Sequence, residues 1–163
     1  MTIGGERLAI KAATMRSFRR YHSIVQDGTQ GLSQALEECA TVIYALADGK
    51  AEYGAVWSAE AAEIIAAGRQ INAIMRDRIP AAMNRMSGCE PVEMQKSAFD
   101  EYDKENGYDD DAATERREQY MAAADAVIRA AINVCGCSYT EAADENAYEL
   151  LGQIDHYLRN KKE

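Results

Sequence analysis

Apolar residues recur at three- and four-residue steps along most of the chain, and only two prolines interrupt them. That spacing lines up apolar side chains on one face of a 3.6-residue helix. It therefore predicts a succession of amphipathic helices and leaves little room for strands. Composition points the same way. Alanine is abundant, and with glutamate, arginine, leucine and methionine it loses little rotamer freedom in a helix, while β-branched residues rarely come in runs.

The first helix is expected over about 6–25, where Leu8, Ala12, Met15, Phe18, His22 and Val25 form the stripe and Asp27-Gly28 and Gly31 end it. Ser33 reads as the N-cap of a second, which buries Leu36, Cys39, Ala40, Ile43 and Leu46 and stops at Gly49. A short helical piece carries Tyr53 and Trp57, and Ser58 reads as the next N-cap. A third long helix over about 59–79 places Ile64, Gly68, Ile71 and Met75 on one side. Pro80 is expected to break or kink it, because proline lacks the donor and clashes with the preceding turn. Pro91 suits the first turn of a helix lasting to about Glu105, which Asn106-Gly107 ends. Asp109-Asp110-Asp111 caps a long helix to about Val134, and Cys135-Gly136-Cys137 is the following turn. Ser138 with Glu141 makes a capping box for the last helix, with Ala143, Ala147, Leu150, Leu151, Ile154 and Leu158 inward. The expectation is an all-α fold: one compact, bundle-like domain over 1–163, of about six helices with short connections.

The formal net charge is −9 and unevenly spread. Residues 1–26 hold five basic side chains against Glu6 alone, so the first helix is basic, at +4, and the remainder carries −13. The stretch 90–118 is the most acidic, at −7. Such a balance excludes a general nucleic-acid binder, which needs a basic footprint. No apolar leader follows Met1 and no run approaches the roughly 20 apolar residues of a membrane span, so a cytoplasmic protein is expected. Cys39, Cys89, Cys135 and Cys137 are too sparse for a secreted disulfide framework and read as reduced thiols.

Several patterns touch on chemistry without completing one. Cys135-Gly-Cys137 could share a soft metal, but Cys135 continues the stripe of Met121, Ala124, Ile128 and Ala131 and reads as a buried small hydrophobe. The turn around Asp103 and Gly107 resembles a calcium loop set one residue out of register, with Tyr102 and Ala113 where acids are needed. Arg16 and His22 match the Arg-x5-His spacing of HEPN-type ribonucleases, in which an arginine steadies phosphate and a histidine moves a proton. His22 also lies on the apolar stripe, where a hydrogen-bonded core histidine is the simpler reading. Glu115-x-x-Glu118 and Glu141-x-x-Asp144 resemble the paired acids of all-α Mg²⁺ pyrophosphohydrolases. In an antiparallel hairpin those pairs would sit roughly 20 Å apart at about 1.5 Å per residue, too far to share a metal. Glu37, Glu38, Glu60 and Glu63 could meet across a hairpin, but lack the full acid set. The stretch 138–151 faintly resembles a helix-turn-helix entry, yet its second helix carries Glu145, Glu149 and Asp155 where a reading helix wants positive charge.

No catalytic set, metal site or cofactor is therefore expected. The reading is a non-enzymatic helical interaction protein, an adaptor or inhibitor that binds a basic protein partner. One form is a nucleic-acid mimic of the mobile-element type, directed at a nucleic-acid-handling enzyme. The candidate binding residues are Asp100, Asp103, Asp109, Asp110 and Asp111, with Arg16, Arg19 and Arg20 on the basic helix. No direct DNA reading and no membrane contact are expected, and a homo-oligomer is compatible. The alternative is a small all-α Mg²⁺-dependent nucleotide hydrolase or HEPN-like ribonuclease.

Overall fold

A computed structural model of the protein describes residues 2–3, 6–7, 13–25, 31–47, 52–85 and 110–160, and for Thr2, Glu6, Arg7, Tyr53 and 110–113 the backbone alone. The expected all-α architecture is present. Its helices are α1 (Met15–Ile24), α2 (Leu32–Leu46), α3 (Tyr53–Trp57) and α4 (Ala61–Asn72), then a π-helical turn (Ala73–Arg78) running into α5 (Ile79–Asn84). They are followed by α6 (Asp110–Cys135), α7 (Tyr139–Asp144) and α8 (Ala147–Asn160). The helix expected over 90–105 and the Asn106-Gly107 stop lie outside the described residues.

The N-terminus differs from expectation. Thr2–Ile3 (β1) and Glu6–Arg7 (β2) pair antiparallel as a minimal ladder, and α1 starts only at Met15. The reason is a local cap. Thr14 Oγ1 accepts from the Ser17 N–H at 3.0 Å, and Ser17 Oγ accepts from the Thr14 N–H at 2.8 Å, so two orphan donors of the first turn are satisfied reciprocally. A tertiary bridge then holds Thr14 extended: it pairs with Asn146, and the Ala147 N–H donates to the Ala13 carbonyl at 2.6 Å.

Other boundaries move for similarly local reasons. Helix α2 begins two residues early on Gly31, whose N–H donates to Gln34 Oε1 at 3.2 Å, so Ser33 is inside the helix and not its cap. Ser58 closes α3 by donating from Oγ to the Ala55 carbonyl, and Glu60 is the N-cap of α4. The capping box at Ser138 and Glu141 is formed as expected. The last helix is nevertheless split, because Asn146 Oδ1 accepts from the N–H groups of Tyr148 and Glu149 and starts α8 afresh. Pro80 does not break its helix. The helical run continues to Asn84 because the turn before the proline widens to π register, with the Ile79 N–H reaching the Ile74 carbonyl. Such a bulge is one of the few ways a helix accommodates a proline ring and its missing donor.

Helix α1 is the centre of the packing. It lies against α2, α6 and α7, while α2 packs on α4, α6 packs on α8, and α5 packs on α8. The long run 61–84 thus spans the molecule, its first half on the α2 side and its second half on the α8 side. One apolar cluster joins Met15, Phe18 and Tyr21 of α1 to Ile43 and Leu46 of α2, Ile71 of α4, Ile128 of α6 and Leu150 and Ile154 of α8. Ile3 of the β ladder is buried in the same cluster, and β1 rests on α4. Where α2 crosses α4 the backbones approach closely. A Cβ placed on Gly68 would stand 2.9 Å from Cys39 Cβ and closer still to its Sγ.

Candidate functional site

The polar residues of α1 divide between two faces. On the inner face Tyr21 is fully buried and His22 is 5% exposed. The Tyr21 hydroxyl donates to Asn72 Oδ1 at 2.7 Å and accepts from Arg76 Nε at 2.9 Å, tying α1 to the end of α4 and to the π turn. His22 Nε2 lies 3.4 Å from the Met75 carbonyl. A carbonyl can only accept, so this nitrogen carries the proton. The imidazole stacks on Tyr120 of α6 with centroids 4.2 Å apart and meets Phe18 and Tyr21 edge-on. His22 is thus a hydrogen-bonded core histidine. Asn72, Arg76 and Tyr120 were not legible as members of this cluster, because the side chains that reach Tyr21 stand 51 and 55 positions along the chain.

On the outer face are the three candidate arginines. Arg16 forms a two-pronged pair with Asp144 of α7, through Nε to Oδ1 and through Nη2 to Oδ2 at 3.1 Å. The Asp144 carboxylate holds the Arg16 guanidinium still more firmly protonated than usual. Arg19 reaches Asp125 of α6 at 2.9 Å and the Tyr139 hydroxyl at 2.8 Å. Arg20 is exposed and has no ion pair to a described residue. Two of the three positive charges are therefore matched within the fold and pin α7 and α6 to α1. Pairs this exposed contribute little to stability in water, so they orient the helices more than they stabilise them. Arg16 and His22 do not converge: both are on α1, but Arg16 is exposed and paired with Asp144 of α7, whereas His22 is buried against the π turn.

Of the acidic candidates, Asp100, Asp103 and Asp109 lie outside the described residues. Asp110 and Asp111 form the first turn of α6. The residues that follow, 114–119, are all exposed, so this stretch of the helix presents every face to solvent. Packing begins at Tyr120 and Ala124. Helix α6 has 26 residues and is about 39 Å long at about 1.5 Å per residue, and its residues 114–119 stand clear of the core.

The glutamate patterns are not assembled into a site. Glu115 and Glu118 are on the exposed part of α6, whereas the Glu141 carboxylate accepts from the Ser138 N–H and Asp144 is engaged by Arg16. The hydrogen bonds from Ser138 hold the Glu141 carboxyl below the usual glutamate range. Among the described residues no three His, Cys, Asp or Glu side chains gather as a metal site. The Cys135 expectation is corrected. It is exposed, because α6 ends there and Gly136, at φ 70°, turns the chain away while its N–H caps the Ile132 carbonyl at 3.1 Å. Cys-Gly-Cys is thus a helix stop of the glycine C-cap kind. Cys39, Cys135 and Cys137 are free thiols, and burial pushes Cys39 and, to a lesser degree of enclosure, Cys135 above the usual thiol range.

No described helix is long and apolar enough to cross a membrane. The fold and the polar groups define the class as an all-α helical bundle built around a central helix with a buried Tyr-His pair. Compared with protein families, characterised proteins and solved structures, the chain matches none.

Proposed function

We propose that the protein is a cytoplasmic, non-enzymatic interaction protein, an adaptor or inhibitor that engages a basic protein surface through the acidic stretch 90–118. The observation that carries this reading is the exposure of residues 114–119 on every face of α6. A helix that is polar all round gains nothing from the core of its own fold, and such helices serve as bridges or contact surfaces. Asp110 and Asp111 are the first turn of this same helix, and the chain outside residues 1–26 carries −13. The exposed residues 114–119 are themselves balanced, Glu115 and Glu118 against Arg116 and Arg117, and the acidic excess of the stretch lies in the carboxylates that precede them in the sequence. An acidic excess of this kind speeds encounter with a cationic partner and suits a channel that ordinarily holds nucleic acid.

The experiment is affinity capture from host lysate with quantitative mass spectrometry, comparing the wild-type chain with D109N/D110N/D111N. Asparagine keeps the side-chain shape and much of the capping ability while removing three charges. The reading expects a basic protein held by the wild type at low salt, depleted at high salt and reduced on the variant. Equal capture of the same proteins by both chains would contradict it.

A further inference from the structure

The π turn in the run 61–84 stands between the half of the helix packed on α2 and the half packed on α8. Its carbonyls show an unusual account. In α register Met75 O would accept from the N–H of residue 79, and in π register from that of residue 80. The Ile79 N–H is taken by the Ile74 carbonyl, and residue 80 is proline, which has no N–H. Met75 O is left without either backbone donor in a part of the helix where Met75 itself is 2% exposed. A buried carbonyl without a donor loses its hydration with nothing in exchange, which is costly. His22 Nε2 stands 3.4 Å from that oxygen.

We propose that His22 acts as the surrogate donor for the N–H that Pro80 lacks, and that with Tyr21 it latches the π turn as a hinge between the two halves of the helical run 61–84. Two independent observations support the latch. The Tyr21 hydroxyl grips the same turn at two points, through Asn72 just before it and Arg76 within it. The His22 ring is itself held by stacking on Tyr120, which belongs to α6, so the latch spans α1, α6 and the hinge. Single π turns inside α-helices are rare and are found frequently at functional sites. Releasing the Met75 carbonyl would free α5 to move against α4, while α8 stays held by α6 and by the hydrogen bond from the Ala147 N–H to the Ala13 carbonyl. The neighbouring charged group is Arg76, whose Nε is committed to Tyr21.

The test is native-state amide hydrogen exchange on the full chain, in wild type, His22→Phe, Pro80→Ala and the double variant. Phenylalanine keeps the aromatic packing and removes the donor. His22→Phe is expected to speed exchange at amides 74–81 by about tenfold or more, the loss of one buried hydrogen bond, with amides of α2 and of 124–135 changing by less than about twofold. Pro80→Ala restores a backbone N–H next to Met75 O, so in that background the His22→Phe effect should fall to about threefold or less. Uniform acceleration of every helix would show an ordinary core residue and overturn the hinge. An equal factor in both backgrounds would overturn the surrogate-donor role, because coupled partners must be non-additive. If His22→Phe alone does not fold, the double variant must fold, and its failure also overturns the proposal.

Discussion

Substituting Gly68 with alanine separates a helix-propensity account of this fold from a packing account. Taken alone, a glycine inside a helix is unfavourable by about 1 kcal/mol relative to alanine, so Gly68→Ala should stabilise the protein. The structure reverses the sign. The new methyl would stand 2.9 Å from Cys39 Cβ, where ordinary van der Waals contact starts near 3.4 Å, and nearer still to Sγ. Rotating Cys39 about χ1 moves the sulfur but not Cβ, so α2 and α4 must separate by about half an ångström. Overpacking of this kind costs about 1–3 kcal/mol, which outweighs the propensity gain at all but the low end. A net destabilisation of about 1 kcal/mol is expected from urea unfolding followed by circular dichroism. Cys39→Ala in the Gly68→Ala background should recover part of it, the part due to Sγ. Gly152→Ala is the control: Gly152 lies in α8, is exposed and has open space at its Cβ position, so it should gain about 1 kcal/mol. If Gly68→Ala stabilises as much as Gly152→Ala, the close crossing of α2 and α4 is wrong.

Gly136→Ala places a Cβ in the left-handed region and should cost about 1–2 kcal/mol in thermal or urea unfolding. The Glu141 carboxyl is held below its ordinary range by Ser138, so its contribution is complete above that range and is lost as pH falls through the lower folded value. Glu141→Gln should therefore flatten the acid limb of a stability–pH curve below the usual glutamate range and leave the curve near neutrality parallel to wild type. Among the thiols, Cys135 should be alkylated before Cys39, since Cys135 is exposed and Cys39 is half-buried between α2 and α4. Peptide mapping after a short pulse of iodoacetamide reads the order, and both should react faster as pH rises, because both thiols sit above their usual range.

The helical class and most of the stripes were legible because they depend on neighbours three and four residues away. Met15, Phe18, Ile43, Leu46, Ile64, Ile71, Ile128, Leu150 and Ile154 all face the core as their periodicity requires. Misreadings fell where a distant partner decides. Periodicity through Leu8 and Ala12 extended α1 too far, whereas the bridge to Asn146 fixes Thr14 as a cap. Pro80 signalled a break or kink, but His22, whose ring nitrogen faces the Met75 carbonyl, lies 53 positions before Met75. The stripe carried Cys135 inward although the glycine that ends the helix turns it out. The basic helix read as a free positive surface, and only the fold shows Arg16 and Arg19 matched by Asp144 and Asp125. For the candidate site itself, charge alone marked the acidic stretch, and the exposure of 114–119 is the structural addition.

That addition also sharpens the decisive control. Neutralising Arg16 or Arg19 would disturb contacts within the fold, whereas Arg20 is exposed and has no ion pair to a described residue, so Arg20→Gln removes a positive charge with little structural consequence. The most direct measurement is the affinity for the captured basic protein as a function of salt, for wild type, D109N/D110N/D111N and R20Q. Screening shortens the reach of charge to about 3 Å at 1 M salt, so binding through an acidic surface must weaken steeply with salt. The account predicts that the triple variant binds more weakly at low salt with a shallower salt dependence, while R20Q binds as tightly as wild type or more so. Unchanged affinity in the triple variant together with loss of binding in R20Q would contradict it and move the contact surface to α1.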